Sequence, residues 1–138
     1  MPERDLPSEL VLVDTSAWIE FFRGTNHPAV PALDRLLFDD QAAITGVIRA
    51  ELLQGARTEA QKAALARQLA ALHQLPDPSD LWDRVALLGY ALRRQGYEVR
   101  IPDLVIAAVA LANDVPVLAL DAHFPAIAKV SSLRLAGY

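Results

Sequence analysis

A chain of 138 residues is close to the commonest size of one domain and too short for two independent apolar cores, so we expect one domain over residues 1–138. Hydrophobic residues make up 53% of the sequence, which excludes wholesale disorder. The absence of Cys excludes disulfides and thiolate metal sites, and it fits a reducing cytoplasm. A net charge of −4 argues only weakly against a nucleic-acid partner, because acids that bind a cation would themselves make the total negative.

The sequence predicts neither export nor membrane insertion. The first ten residues carry three acids and no apolar stretch, unlike a secretory signal. No apolar run approaches the roughly 20 residues that a membrane-spanning helix needs. The expected location is therefore cytoplasmic, with no membrane partner.

The first half of the chain predicts short strands that alternate with helices. Continuous apolar runs indicate strands at residues 10–13 and 42–44. Helical spacing of apolar residues and high helix propensity predict helices at residues 15–22, 28–38, 45–55 and 59–72. Gly24 should end the first of these helices, and Thr45 is a favoured N-cap for the third.

The second half continues this alternation after a turn at residues 76–79. An amphipathic helix is expected at residues 80–95, and a helix that is apolar all round at residues 104–112. Residues 115–120 are a strand candidate, and residues 133–135 are expected to add an edge strand. Helices alternating with short apolar strands predict an α/β layer fold with a mostly parallel sheet.

Four carboxylates lie where an ordinary core would not place them. Asp14 and Asp121 each directly follow a predicted strand, Glu51 lies on an apolar helix stripe, and Asp103 heads the apolar helix at residues 104–112. In open parallel sheets, ligands gather outside the carboxyl ends of the strands. We therefore expect Asp14 and Asp121 to face one crevice.

Each acid taken alone also has a purely structural interpretation. Asp14, Asp103 and Asp121 all occupy positions where Asp is a favoured N-cap. Glu51 would extend to solvent at the rim or pair with an Arg. The sequence leaves these alternatives open, and an Asp can cap a helix and bind a metal at once.

Convergence of the four acids would require a cation or bound protons. Like charges about 4 Å apart repel by roughly 4 kcal/mol at an effective dielectric near 20. Oxygen ligands without Cys or His select hard ions, so Mg²⁺ is expected, with Mn²⁺ nearly as suitable. Such a site supports phosphodiester hydrolysis by activating water and by stabilising charge on the phosphoryl oxygens.

Four segments carry these acids in a fixed order: residues 11–19 (VLVDTSAWI), 45–55 (TGVIRAELLQG), 101–108 (IPDLVIAA) and 117–124 (VLALDAHF). Together they resemble the successive motifs of PIN-domain nucleases, most closely the VapC-type toxins of toxin–antitoxin pairs. The resemblance covers essentially the entire chain. It implies a PIN-like three-layer α/β/α sandwich with a short, mostly parallel central sheet.

The same resemblance implies a Mg²⁺- or Mn²⁺-dependent endoribonuclease, the toxin of a VapBC-type system. The implied metal ligands and catalytic residues are Asp14, Glu51, Asp103 and Asp121, with Ser16 or Thr15 supporting the first acid. The implied partners are an RNA substrate, a second copy in a homodimer, and a cognate VapB-type antitoxin. In the family, the carboxyl-terminal segment of the antitoxin runs over the active-site groove.

Two positions depart from the family pattern. Ala119 stands where the family often has Thr or Ser, and His123 stands where it frequently has a further acid, which puts a second metal position in doubt. His123 is a candidate to touch a phosphate, and the alternative is a solvated loop side chain. The candidates for the RNA backbone are Arg23, Arg49 and Arg57, with exposed helix charges as the alternative.

Three rival functions remain. A receiver domain also binds Mg²⁺ at strand ends, but it needs a Lys near its phosphoacceptor, and neither Lys62 nor Lys129 follows a convincing core strand. A PIN-like binding module without catalysis would bind no Mn²⁺. An RNA-processing PIN nuclease would work without an antitoxin.

Overall fold

Short parallel strands alternate with helices over residues 9–138, which are the residues that the computed structural model describes. The expected lack of a secretory signal rests on residues 1–10, which lie almost entirely outside the described residues. The strands are β1 (Val11–Val13), β2 (Ala42–Ile44), β3 (His73–Gln74) and β4 (Val117–Leu118). The helices are α1 (Thr15–Arg23), α2 (Ala29–Phe38), α3 (Gly46–Gln54), α4 (Glu59–Ala70), α5 (Leu81–Arg94), α6 (Ile101–Asn113) and α7 (His123–Val130).

The described strands form one sheet in the order β3-β2-β1-β4, and every neighbouring pair is parallel. Leu12 of β1 lies opposite Ala43 of β2 on one side and Val117 of β4 on the other. Because parallel strands need crossover connections, helices link them and cover the sheet. The predicted α/β/α sandwich with a short parallel sheet is confirmed.

The core consists of the strands and the helices that pack on them. All seven residues of α6 from Leu104 to Ala110 are buried, as the continuous apolar sequence predicts. The amphipathic helix α5 packs on α6 and α7 through its buried side chains, which are Leu81, Val85, Leu88 and Leu92. In the described part of the chain, no helix combines the length and the apolar character that a membrane crossing requires.

Several boundaries differ from the sequence prediction. β3 and α7 were not expected, β4 has two residues rather than six, and Leu135 makes only an isolated parallel bridge to Val117 in place of an edge strand. α6 begins at Ile101 because Pro102 is tolerated in a first helical turn, where its missing N–H has no intrahelical partner to lose. Thr45 is the N-cap of α3, but its side chain makes no capping hydrogen bond.

Candidate active site

The candidate site lies at the carboxyl edge of the sheet, where β1 and β4 end side by side. Asp14 follows β1 directly, and its backbone N–H donates to the carbonyl of Leu118 at the end of β4 at 2.9 Å. The amino-terminal turns of α6 and α7 approach the same edge through Asp103 and His123. The parallel order of the strands therefore gathers segments that are distant in the sequence, as the sequence analysis expected.

Asp14 is held in one orientation by Ser16. The carboxylate is 4% exposed, and its Oδ2 accepts from the Ser16 backbone N–H at 3.1 Å and from Ser16 Oγ at 2.6 Å. Ser16 Oγ in turn accepts from the backbone N–H of Leu120 at 3.0 Å, which ties the end of β1 to the loop after β4. Asp14 is thus the N-cap of α1 and also faces the site.

Burial raises the pKa of Asp14, because a desolvated carboxylate is less stable than a desolvated carboxylic acid. The hydrogen bonds from Ser16 and Thr15 oppose this shift, and the negative charge of Asp103 adds to it. The raised pKa of Asp14 therefore reflects both its burial and its proximity to a second acid.

Glu51 reaches the same edge from α3 and is held by a neutral donor. Thr15 Oγ1 donates to Glu51 Oε1 at 2.6 Å, and the residue is half-buried. Among the described residues Glu51 has no Arg or Lys partner, so the ion-pair alternative does not describe it.

Asp103, Asp121 and His123 form the tightest part of the site. One ligand atom from each lies within 4.8 Å of the others. His123 Nδ1 is 3.0 Å from Asp103 Oδ2 and 3.1 Å from Asp121 Oδ1, and the His123 backbone N–H donates to Asp121 Oδ1 at 2.8 Å. The three side chains are 18–40% exposed, so solvent and a ligand reach them.

The pKa of Asp103 is raised, first by burial and then by the negative charges of Asp121 and Glu51. The hydrogen bond with His123 and its charge lower the pKa, but they do not outweigh the other causes. Together with the effect of Asp103 on Asp14, these interactions place Asp103 within electrostatic reach of each of the other three predicted acids.

Two of the predicted acids occupy different local positions from those expected. Asp103 is in the first turn of α6, whose N-cap is Arg100, and Asp121 lies three residues beyond β4 rather than directly after it. The N-cap of α7 is Ala122. The N-cap interpretation is therefore wrong for Asp103, whereas Asp121 lies one residue before the N-cap of α7 and its side chain still accepts from the His123 N–H at the start of that helix.

His123 is more closely involved than a solvated loop residue would be. It opens α7 and lies between two of the acids, whereas the sequence indicated a departure from an acidic pattern and a candidate phosphate contact. Its position two residues after Asp121, with Pro125 in the following turn, is the signal that would have indicated a helix start.

The three arginines predicted to contact RNA differ in exposure. Arg23 and Arg57 are exposed and Arg49 is half-buried. None of the three forms an ion pair with a carboxylate of the described residues. Ala119 is half-buried beside the site and contributes no hydroxyl there.

The donor set fits a hard divalent cation. Carboxylate oxygens dominate it and one imidazole nitrogen joins them, a combination that Mg²⁺ and Mn²⁺ accept. The pKa values of Asp14 and Asp103 are raised first by burial and then by neighbouring negative charge, and a bound cation would favour the ionised form of both groups.

An apolar groove of about 550 Å³ opens beside Glu51, between α1, α3 and α4. We define the apolar groove by Ile19, Phe22, Leu52 and Leu65, with Arg23 at its edge. Ile19 is 37% exposed and Phe22 is 45% exposed, although both are large apolar side chains. Such a contiguous apolar surface is typical of a binding site.

Comparison with known proteins gives consistent results. The model of the PIN domain family matches residues 11–130. Ribonuclease VapC11 of Mycobacterium tuberculosis is 36% identical over 134 residues, which cover 94% of this chain and 99% of that protein.

Among solved structures, VapBC-5 of Mycobacterium tuberculosis, a member of the VapBC family of toxin–antitoxin systems, superposes with a TM-score of 0.69 at 30% identity, covering 95% of this chain and 100% of that one. VapBC2 of Rickettsia felis, bound to a DNA fragment from its promoter, superposes with a TM-score of 0.74 over 92% of this chain and 97% of that one, and at 18% identity it supports the fold alone. The chain belongs to the PIN-domain family, among its VapC-type members.

Proposed function

We propose that this protein is a Mg²⁺- or Mn²⁺-dependent endoribonuclease, the toxin of a VapBC-type toxin–antitoxin system, and that residues 1–138 form a single PIN domain. The observation that carries the proposal is the meeting of Asp14, Glu51, Asp103 and Asp121 at one edge of the sheet. The relative that matches nearly the whole chain is named a ribonuclease, which supports RNA as the substrate.

In this proposal Asp14, Asp103 and Asp121 hold the cation, with Glu51 as a further ligand or directly beside the ligands. The cation would activate a water for attack at phosphorus and offset charge on the phosphoryl oxygens. Ser16 fixes the orientation of Asp14, and Thr15 fixes that of Glu51. Residues that orient metal ligands in this way typically change metal affinity or activity by about 10–100-fold when they are removed.

The remaining residues of the site would act on the substrate. His123 orients Asp103 and Asp121 through Nδ1, and its 40% exposed side chain can also reach a phosphate oxygen. Arg23, Arg49 and Arg57 are proposed to contact the RNA backbone, where guanidinium groups bind phosphate oxygens well. Arg23 has the strongest support of the three, because it borders the apolar groove together with Glu51.

A VapB-type antitoxin is proposed as the protein partner. The solved relative VapBC-5 belongs to a toxin–antitoxin family, and the apolar groove beside Glu51 offers a surface for an apolar antitoxin segment. An antitoxin segment in this groove would lie against the acids and block access of RNA.

A homodimer in the cytoplasm completes the proposal. Trp82 is 65% exposed and Leu87 is 74% exposed on α5, which is unusual for large apolar side chains and suits a contact between copies. RNA cleavage as the activity implies a location in which RNA is present. The mass of the purified protein in light scattering tests the dimer directly.

Cleavage of RNA by wild type and by the variant Asp14→Asn tests the proposed activity. Wild type should cut total RNA with Mn²⁺ and stop when a chelator is added. Asp14→Asn should lose at least about 100-fold of this activity, since a ligand should matter at least as much as a group that supports one. The amide oxygen of the variant side chain can still accept from Ser16, so the fold should remain.

The matched control is Asp34→Asn, which changes an exposed carboxylate on α2 and should cut like wild type. Full activity in Asp14→Asn would contradict the nuclease mechanism. Absence of both Mn²⁺ binding and RNA cleavage in wild type would favour a catalytically inactive PIN-like module. If wild type cuts RNA but no antitoxin that binds it is found, an RNA-processing nuclease would be favoured.

A further inference from the structure

A second cleft lies between the end of α5, the loop at residues 95–100 and α7. Its volume is about 570 Å³, within the range of small-ligand pockets. Tyr90 and Arg94 come from α5, Tyr97 comes from the loop, and Lys129 comes from α7. We call these four residues the tyrosine cleft.

Two cation–aromatic pairs form the walls of the tyrosine cleft. Arg94 Cζ lies 5.7 Å from the ring centroid of Tyr90, and its Nη1 is 3.4 Å from the Tyr90 hydroxyl. Lys129 Nζ lies 5.8 Å from the ring centroid of Tyr97 and 3.4 Å from its hydroxyl. Both hydrogen bonds are long and therefore weak, so a ligand can replace them.

The tyrosine cleft is basic and its rings are open to solvent. No carboxylate among the described residues pairs with Arg94 or Lys129, whereas the neighbouring Arg93 pairs with Glu98 at 3.4 Å. Tyr90 is 65% exposed and Tyr97 is 37% exposed. Unpaired cations beside exposed aromatic faces are the combination that holds single-stranded nucleic acid.

Two segments of the chain, the loop that leads into α6 and the helix α7, carry residues of both the tyrosine cleft and the acid cluster. The loop that carries Tyr97 leads through Arg100 directly into the turn of α6 that holds Asp103. Lys129 lies six residues after His123 on α7, a rise of about 9 Å along the helix axis. A strand whose scissile phosphate lies at the acids and which runs along α7 would reach the tyrosine cleft with a neighbouring nucleotide.

We propose that the tyrosine cleft binds a nucleotide of single-stranded RNA next to the cleaved bond, with the base stacked on Tyr97 or Tyr90 and its phosphate bound by Arg94 and Lys129. This inference rests on the proposed ribonuclease function and adds a substrate-binding subsite on the side of the acids that α7 forms. A second copy of the chain fits the cleft less well, because a two-fold axis there would bring like charges together.

Fluorescence anisotropy with a labelled single-stranded RNA of about 12 nucleotides tests the proposal, with a chelator present so that no RNA is cut. Tyr97→Ala should weaken binding about tenfold, through loss of stacking. Tyr97→Phe keeps the ring and should bind like wild type. Lys129→Gln and Arg94→Gln should each weaken binding and reduce the slope of log K against log salt concentration by about 0.7, the value for one lost phosphate contact on a single strand.

The chain offers a matched control in the cleft formed by Arg35 and Phe38 on α2. That cleft also contains an exposed aromatic ring and a cation, but Asp34 and Asp39 line it and should repel phosphate. Arg35→Gln and Phe38→Ala should therefore leave RNA binding unchanged.

Unchanged RNA affinity in Tyr97→Ala, Lys129→Gln and Arg94→Gln, with an unchanged salt slope in the last two, would overturn the proposal. So would a weaker affinity accompanied by a change of molecular mass in light scattering, since the cleft would then be an interface between copies. If the cleft variants bind RNA more weakly as predicted but wild type cuts no RNA, the subsite is supported and only the proposed nuclease activity is contradicted.

Discussion

The two halves of the acid cluster are held in different ways. Asp14 and Glu51 are oriented by neutral hydroxyl and backbone donors from Ser16 and Thr15. Asp103 and Asp121 are oriented chiefly by a single imidazole between them, that of His123. We call these the hydroxyl half and the imidazole half.

The difference indicates which half depends on a cation. Neutral donors hold the hydroxyl half in place whether or not a metal is bound, because they need no charge to donate. In the imidazole half two carboxylates face each other, and the one imidazole is exposed enough for solvent to replace it. We therefore expect the hydroxyl half to be preformed and the imidazole half to become ordered when a cation binds.

The largest effect on stability is expected from Ser16→Ala in the hydroxyl half. The change removes the hydroxyl donor to Asp14 and leaves the Leu120 N–H without its acceptor, so RNA cleavage should fall by about 10–100-fold. The free energy of unfolding should fall by about 1–3 kcal/mol. Cleavage rates and urea denaturation measure the two effects.

Ser131→Ala is the matched control for Ser16→Ala. Ser131 Oγ also bridges two backbone groups, donating to Ile127 O at 2.7 Å and accepting from Leu133 N at 3.2 Å, but it lies outside the acid cluster. The Ser131→Ala variant should have a lower free energy of unfolding but an unchanged rate of RNA cleavage. Equal losses of catalysis in both variants would mean that Ser16 acts only through the fold.

A smaller effect is expected from Asp103→Asn in the imidazole half, measured in chelator. Since folding raises the pKa of Asp103 above 3.8, the ionised group weakens the folded state. The penalty is absent below the usual pKa of the group and grows as pH rises through the raised value. At neutral pH the variant should therefore be more stable than wild type, by roughly 0.5–1 kcal/mol.

Asp83→Asn is the control for the effect of removing a carboxylate from the first turn of a helix. Asp83 also occupies the first turn of a helix, α5, but it is exposed and outside the cluster. Urea midpoints at several pH values should show a pH-dependent gain only in Asp103→Asn. A gain that does not change with pH would contradict the assignment of charge repulsion to the imidazole half.

The smallest effect on stability is expected from Glu51→Gln. The amide oxygen of the new side chain can still accept from Thr15, and the change removes one of the charges that raise the pKa of Asp103. The free energy of unfolding in chelator should change by less than about 0.5 kcal/mol or rise slightly. Glu20→Gln is the control, since Glu20 also accepts from a threonine, Thr25, at 2.9 Å. A large loss in Glu51→Gln alone would point to a structural role for the charge.

Most of the fold followed from apolar spacing, and the exceptions have physical reasons. The spacing predicted α1, α2, α3 and α5 to within one or two residues, because each of these helices buries one face. It did not predict β3, since His73 and Gln74 have little strand propensity and pair only because β2 offers its edge.

Local sequence motifs predicted which acids belong to the site, but they did not predict the contacts between distant segments. The four acids are visible from the strand ends and helix faces on which they lie. The contact between His123 and Asp103 spans 20 residues and depends on where α7 begins, which no local pattern had indicated. Which donors hold which acid is a property of the assembled sheet edge.

The most direct test of the central claim is anomalous scattering from a crystal of the protein soaked in Mn²⁺. We predict a peak at the sheet edge within ligand distance of Asp14, Asp103 and Asp121, with the hydroxyl half unmoved. Well-measured data that show no Mn²⁺ among these acids, or Mn²⁺ bound only elsewhere, would contradict the account.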